Sequence, residues 1–203
     1  TFHKLILDIC FCWVKSTQLS ITDLGCSTGA FIKFMLSHEL GKRKINYLGV
    51  DQSADMLSKL NSSYRYAQNI SINTRCLTID ASVTFDASDV FILNLLLQFI
   101  NKEERQHILS NIYDAMNDGS VCFLIEKVCY MEPLEGLSRN VYHKLKLEQG
   151  YLPEEILNKE KSLETILMPL TAQKNLELLK TAGFRHVMPF FQWINFVGFL
   201  AIK

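Results

Sequence analysis

The chain has 203 residues, its 21 Lys and Arg are balanced by 21 Asp and Glu, and 48% of it is hydrophobic. That length suits one domain with a sizeable buried core. The absence of net charge excludes a nucleic-acid binder that relies on broad electrostatic attraction, and no apolar run reaches the about 18 residues of a membrane-spanning helix.

Residues 1–15 are apolar at Leu5, Ile6, Ile9 and Val14, which predicts a helix. Ser20–Leu24 reads as the first strand and Ala30–Leu40 as the helix after a glycine turn. A second strand, Asn46–Val50, ends on Asp51, and Ser53 is placed to cap a helix running to Leu60. Arg75–Ile79 is the predicted third strand, closing on Asp80, and Ala87–Leu95 the fourth, apolar enough to be central. An amphipathic helix, Lys102–Met116, should stop at Asn117-Asp118-Gly119 before a fifth strand, Ser120–Val128. A charged helical excursion follows over about 132–168. Thr171–Thr181 is the last helix, and Phe184–Trp193 with Phe196–Ile202 forms a closing hairpin. The expected fold is α/β and Rossmann-like, of the class I methyltransferase type. Its sheet would be mostly parallel and seven-stranded, with a C-terminal antiparallel hairpin, all in one domain over 1–203.

Six cysteines, at 10, 12, 26, 76, 122 and 129, match neither zinc-ligand spacing nor a disulfide scaffold. They read as reduced thiols of a cytoplasmic protein, and no signal peptide is visible. The scattered His and Cys residues predict no metal site.

The chemistry concentrates at strand ends. In Asp23-Leu24-Gly25-Cys26-Ser27-Thr28-Gly29, Gly25 and Gly29 let the backbone turn sharply and approach a ligand closely. Asp23 can accept hydrogen bonds from loop amides or from a ligand ammonium. Asp51, 28 residues on, is placed to take both hydroxyls of a ribose. Asp80 can accept from the exocyclic amine of adenine, and Asn94 shares the same rim of the sheet, where ligands of open α/β sheets bind. The turn lacks the third glycine of G-x-G-x-x-G, where a pyrophosphate would sit, so S-adenosyl-L-methionine (SAM) fits better than a dinucleotide. S-adenosyl-L-homocysteine would be the product.

The sequence resembles the carboxy-S-adenosyl-L-methionine synthases over almost its whole length. The resemblance rests on DLGCSTGAF (23–31), VDQSADML (50–57), LNLLLQFI (93–100), ERQHIL (104–109) and EK (126–127). It continues in NVYHKLKLEQGY (140–151), EILNKEKSLETILMP (155–169), AGF (182–184) and FFQWINF (190–196). It implies a methyltransferase fold, a role in wobble-uridine modification of tRNA without a direct grip on tRNA, and a cofactor site formed by Gly25, Cys26, Ser27, Asp51, Gln52, Asp80, Ala81 and Asn94. It also implies an arginine that pairs with the added carboxylate of the carboxylated cofactor. That position here is Glu160, an anion where a bidentate cation is expected. The paired histidines of the family pattern read Tyr142-His143.

The leading expectation is therefore a SAM-dependent methyltransferase acting on a small-molecule or carrier-bound acceptor. A carboxy-SAM synthase with a compensating cation, Lys159 or Lys161, is the second reading, and a non-catalytic SAM-binding module of a larger enzyme the third. His143 is the candidate general base by side-chain type. Tyr142, Glu160, Gln192 and Trp193 are candidates for the substrate pocket, with a core or interface role the competing reading of Trp193. His107 and His186 read as surface residues, and the Glu103-Glu104 and Glu154-Glu155 pairs as solvated helix faces. The aromatic run Phe190–Phe196 points to a homodimer; no membrane partner is expected.

Overall fold

The computed structural model describes residues 2–38, 43–64 and 69–203. Its elements in chain order are α1 (Phe2–Trp13), β1 (Gln18–Leu24), α2 (Ala30–Leu36), β2 (Lys44–Asp51), α3 (Ala54–Ser63), β3 (Ile70–Cys76) and β4 (Ser88–Asn94). A 3-10 turn (Leu97–Phe99) leads into α4 (Lys102–Ala115) and β5 (Met116–Lys127). Then come α5 (Leu134–Glu148), α6 (Pro153–Leu163), α7 (Ala172–Thr181), β6 (His186–Trp193) and β7 (Phe196–Ile202). Thr1 and residues 39–40 lie outside the described residues, but the second helix, predicted to reach Leu40, already ends at Leu36 with Ser37 as its cap.

Seven strands form one sheet in the order β3-β2-β1-β4-β5-β7-β6. The first five are parallel, and β7 slots antiparallel between β5 and β6. Alternation along β4 shows how the sequence fills both faces. Val90 and Ile92 pack into a cluster with Ile6, Phe31, Ile32 and Leu60 from α1, α2 and α3. Phe91 and Leu93 face the opposite way, into a cluster with Ile108, Leu109 and Ile112 of α4 and Leu179 of α7. A strand covered on both faces needs this nearly continuous apolar run.

Among the predicted boundaries that the structure moves, two change an assignment. The third strand lies at Ile70–Cys76, not 75–79, and pairs with β2 from Ile45↔Ile70 to Asp51↔Cys76. It is an edge strand whose side chains alternate between partly buried and exposed, so the denser apolar stretch Leu77-Thr78-Ile79 drew the prediction past it. Asp80 consequently sits in the loop beyond the strand rather than at its end. At the other boundary, Asn117-Asp118-Gly119 does not end α4 and turn. It belongs to β5, where the β4 register jumps from Ser88↔Met116 to Val90↔Val121 and Gly119 takes a φ of 82°. The extra residues form a bulge, which positive-φ glycine tolerates.

Two expected features stand. Ser53 caps α3, its Oγ accepting the Met56 amide at 3.3 Å. The helical excursion carries α5 and α6, and the chain leaves and rejoins the fold at one point, where Val128 bridges Leu170 in parallel. No described helix is long and apolar enough to cross a membrane.

Candidate functional site

Strand order reverses direction between β1 and β4, and at such a switch point the loops leaving neighbouring strands diverge and open a crevice. The glycine turn after β1 is stitched to the end of β2. The amides of Gly25 and Cys26 both donate to the Val50 carbonyl, at 2.8 and 3.1 Å. Asp51 completes the stitch: Oδ2 accepts the Ser27 amide at 2.8 Å and Oδ1 the Ser53 amide at 2.9 Å. Ser27 and Gly29 both have positive φ, 51° and 81°. Only glycine fits at 29, because a Cβ there would come within 2.6 Å of Ile32 and 2.9 Å of Leu60. Gly49 on β2 likewise leaves room for the turn, since a Cβ there would lie 2.8 Å from Cys26 Sγ.

The crevice is a cleft of about 490 Å³, within the usual size of small-molecule sites. Gly25, Ser27, Asp51, Gln52, Asp80 and Asn94 line it, so six predicted residues converge there. Three carboxylates, Asp51, Asp80 and Glu104, share the lining with apolar Leu77, Ile79, Leu96, Phe99 and Ile100, and no Lys or Arg is among the lining residues. A phosphate-bearing ligand would meet only negative charge. Ser82 donates to Asp80 Oδ1 from its hydroxyl at 2.6 Å and its amide at 2.8 Å, and these bonds hold the carboxyl below its ordinary value. The Oδ1 of Asn94 is buried without a partner, an acceptor that a ligand donor would satisfy.

Of the two kinds of donor expected for Asp23, the loop amides are not its partners. Those of Gly25 and Cys26 go to the Val50 carbonyl, that of Ser27 to Asp51 and that of Gly29 to the Cys26 carbonyl. Asp23 is only 3% exposed. The Tyr47 hydroxyl donates to it at 2.7 Å, because Asp23 pairs with Gly49 and Tyr47 lies two residues back on the same face of β2. Burial pushes its carboxyl up to about 7, Asp51 adds to the rise, and the Tyr47 bond opposes it. With Gly25, Cys26, His3 and Asn94, Asp23 lines a second, water-sized cavity of about 20 Å³ under the turn. Ala81 lies outside the cleft lining, and its carbonyl accepts from Asn111 Nδ2 at 3.1 Å.

The residues proposed for the acceptor side gather elsewhere. His143 Nε2 and Glu160 Oε1 are 2.6 Å apart, joining α5 to α6. Tyr142 sets its ring edge-on to Trp193 of the hairpin, and Trp193 stacks on Phe196 with ring centres 5.8 Å apart. Gln192 Nε2 donates to the Tyr130 hydroxyl at 3.3 Å. None of Tyr142, His143, Glu160, Gln192 or Trp193 lines the cleft. Of the aromatic run at 190–196, Trp193 is exposed while Phe190 packs edge-on against Phe123. Among the described residues, no three His, Cys, Asp or Glu side chains converge as metal ligands.

Sequence reasoning missed the wall from Leu95 to Asn101 and the loop Leu77–Ile79. It also read Glu104 as solvated, whereas that residue is half-buried on the cleft wall because α4 starts directly beneath the 3-10 turn. The signal was present in LNLLLQFI, an apolar run too long for one strand of this sheet. His107 and His186 are exposed, as their patterns predict.

A family model described as a methyltransferase domain matches residues 22–122. A carboxy-S-adenosyl-L-methionine synthase of Campylobacter jejuni is 34% identical over 209 residues, covering 100% of this chain and 86% of that protein. Its counterpart in Staphylococcus epidermidis is 33% identical, over 99% of this chain and 86% of that protein. In fold, the chain is similar to the crystal structure of human N-acetylserotonin methyltransferase in complex with SAM, with a TM-score of 0.62 at 18% identity, over 100% of this chain and 55% of that one. The architecture is thus that of a class I methyltransferase, and the chain belongs to the carboxy-S-adenosyl-L-methionine synthase family.

Proposed function

We propose that the chain binds SAM in the cleft between the ends of β1, β2 and β4 and uses it, uncarboxylated, as a methyl donor to a small-molecule or carrier-bound acceptor. The residues present suit SAM. Asp51 would take the ribose hydroxyls and Asp80 the adenine amine, and the unpartnered Asn94 oxygen would receive a ligand donor. The carboxylate-lined cleft suits a molecule with a sulfonium and an ammonium and no phosphate. When bound, SAM supplies a methyl group already made electrophilic by its sulfonium. What remains for the protein is to hold donor and acceptor in line and exclude water.

Glu160 carries the choice of uncarboxylated SAM. By the family resemblance, an arginine at this place would pair with the added carboxylate. Here the position is anionic and already engaged with His143 at 2.6 Å. Lys159 and Lys161 are exposed, and neither has the planar fork that binds a carboxylate bidentately. His143, whose Nε2 lies against Glu160, is the proposed general base for an acceptor hydroxyl or amine. Tyr142, Gln192 and Trp193, where α5 meets the hairpin, are the proposed acceptor surface.

A second reading, a carboxy-SAM synthase, is supported by the full-length identity with proteins of that name. Mass spectrometry of the ligand that co-purifies from cells separates the two. SAM or S-adenosylhomocysteine, together with failure of added carboxy-SAM to bind, supports the methyl-donor reading. Carboxy-SAM in the purified protein overturns it.

A further inference from the structure

Glu126 and Arg105 are, among the described residues, the two ionisable groups most deeply embedded beside the cleft, at 2% and 1% exposure. Neither lines it. Glu126, near the end of β5, accepts the Leu97 amide on Oε1 and the Gln98 amide on Oε2, both at 2.9 Å. It thereby satisfies the first free amides of the 3-10 turn, in the way a capping side chain does. Arg105, on α4, donates from Nε to the Ile100 carbonyl at 2.9 Å and from Nη2 to the Met168 carbonyl at 2.8 Å. The Met168 amide in turn donates to the Gln98 carbonyl at 2.8 Å. Leu95, with a φ of 58°, is held by its amide on the Ile125 carbonyl at 2.7 Å.

The segment fastened by these bonds is the cleft wall: Leu95, Leu96, Phe99 and Ile100 all face the cleft. We propose that Glu126 and Arg105 are positioning residues that clamp this wall for ligand binding and tie it, through Met168, to the end of the α5–α6 excursion. The identity of the ligand rests on the SAM reading above; the clamp itself does not.

A buried carboxyl group and guanidinium are costly to retain when apolar side chains could fill the same volume, even where the carboxyl keeps its proton. Burial drives the Glu126 carboxyl up to about 8, against the pull of the Leu97 and Gln98 amides and of Arg105. A pair serving only to fill the core would gain from replacement. The bonds made here, however, all end on backbone groups of the wall or of the chain returning from α6, which an apolar side chain cannot hold.

The test compares Glu126→Gln with Leu19→Ala, a core change at the start of β1, far from the cleft rim. Gln retains shape but presents an NH2 group to one of the two amides it must accept from. We expect S-adenosylhomocysteine to bind Glu126→Gln at least about tenfold more weakly than the wild type, by calorimetry, with faster hydrogen exchange at the Leu97 and Gln98 amides. Leu19→Ala should lower Tm while leaving that affinity within about twofold. Unchanged affinity in Glu126→Gln overturns the positioning role, as does an equal loss in Leu19→Ala. If Glu126→Gln does not fold, Arg105→Lys, which cannot span both carbonyls, carries the same comparison. A wild type that fails to bind S-adenosylhomocysteine would overturn the SAM reading, and exchange at Leu97 and Gln98 in the variants would still decide whether the clamp exists.

Discussion

His143 and Glu160 meet at 2.6 Å across the α5–α6 pair, so the residue standing where the family resemblance implies an arginine already has a cation-capable partner of its own. The pair is partly open, with side-chain exposures of 24% and 39%, so it contributes about 1 kcal/mol or less to stability. Its consequence is for ligand charge. Glu160→Arg removes the anion, restores a planar donor fork and breaks the contact with His143. Carboxy-SAM affinity, measured by calorimetry, should rise at least about tenfold in this variant, with SAM affinity nearly unchanged. If carboxy-SAM affinity does not rise, charge at this position does not select the cofactor.

The two buried carboxyls predict a pH dependence with a definite sign. Asp23 rises from 3.8 to about 7 and Glu126 from 4.5 to about 8. Between those limits the folded chain keeps a proton that the unfolded chain has released, so stability is full below the window and falls as pH climbs through it. Asp23→Asn removes one of the two groups, while its amide oxygen still accepts from Tyr47. The wild type should lose Tm between about pH 5 and pH 8, and the variant should lose less, by about 2 °C or more. Equal slopes in a scanning calorimetry series would mean that Asp23 stays ionised when buried.

Much of this site could be read from strand ends alone. Gly25, Ser27, Asp51, Gln52, Asp80 and Asn94 converge on one cleft because parallel strands deliver their carboxyl ends to a common rim, a rule that needs no side-chain detail. What escaped the sequence is cross-chain bonding. Nothing local to Asp23 shows that Tyr47 will cap it, since that depends on the register of β1 on β2. Glu126 looks like any acid at a strand end until the 3-10 turn folds onto it. Ile70–Cys76 was misplaced because an edge strand carries too weak an alternation to outbid its apolar neighbour.

Gly29 predicts a stability cost distinct from any ligand effect. A methyl group there meets Ile32 and Leu60 at less than 3 Å, on a backbone with φ of 81°. Gly29→Ala should destabilise the fold by about 2–4 kcal/mol, combining left-handed strain with core overlap. Chemical denaturation measures it. A loss below about 1 kcal/mol would show that the turn can relax to another conformation without disturbing α2 or α3.

Asp51 separates loop support from ligand contact. Its two oxygens hold the Ser27 and Ser53 amides while facing the cleft. Asp51→Asn keeps the shape and one acceptor oxygen, whereas Asp51→Ala removes both supports. If Asp51 takes ribose hydroxyls, both variants should bind S-adenosylhomocysteine much more weakly, by about 10-fold for Asn and about 100-fold or more for Ala. Adenine alone should lose little affinity in the Asn variant, because it carries no ribose. Equal losses for adenine and for S-adenosylhomocysteine would mean that Asp51 acts by shaping the glycine turn rather than by touching the sugar.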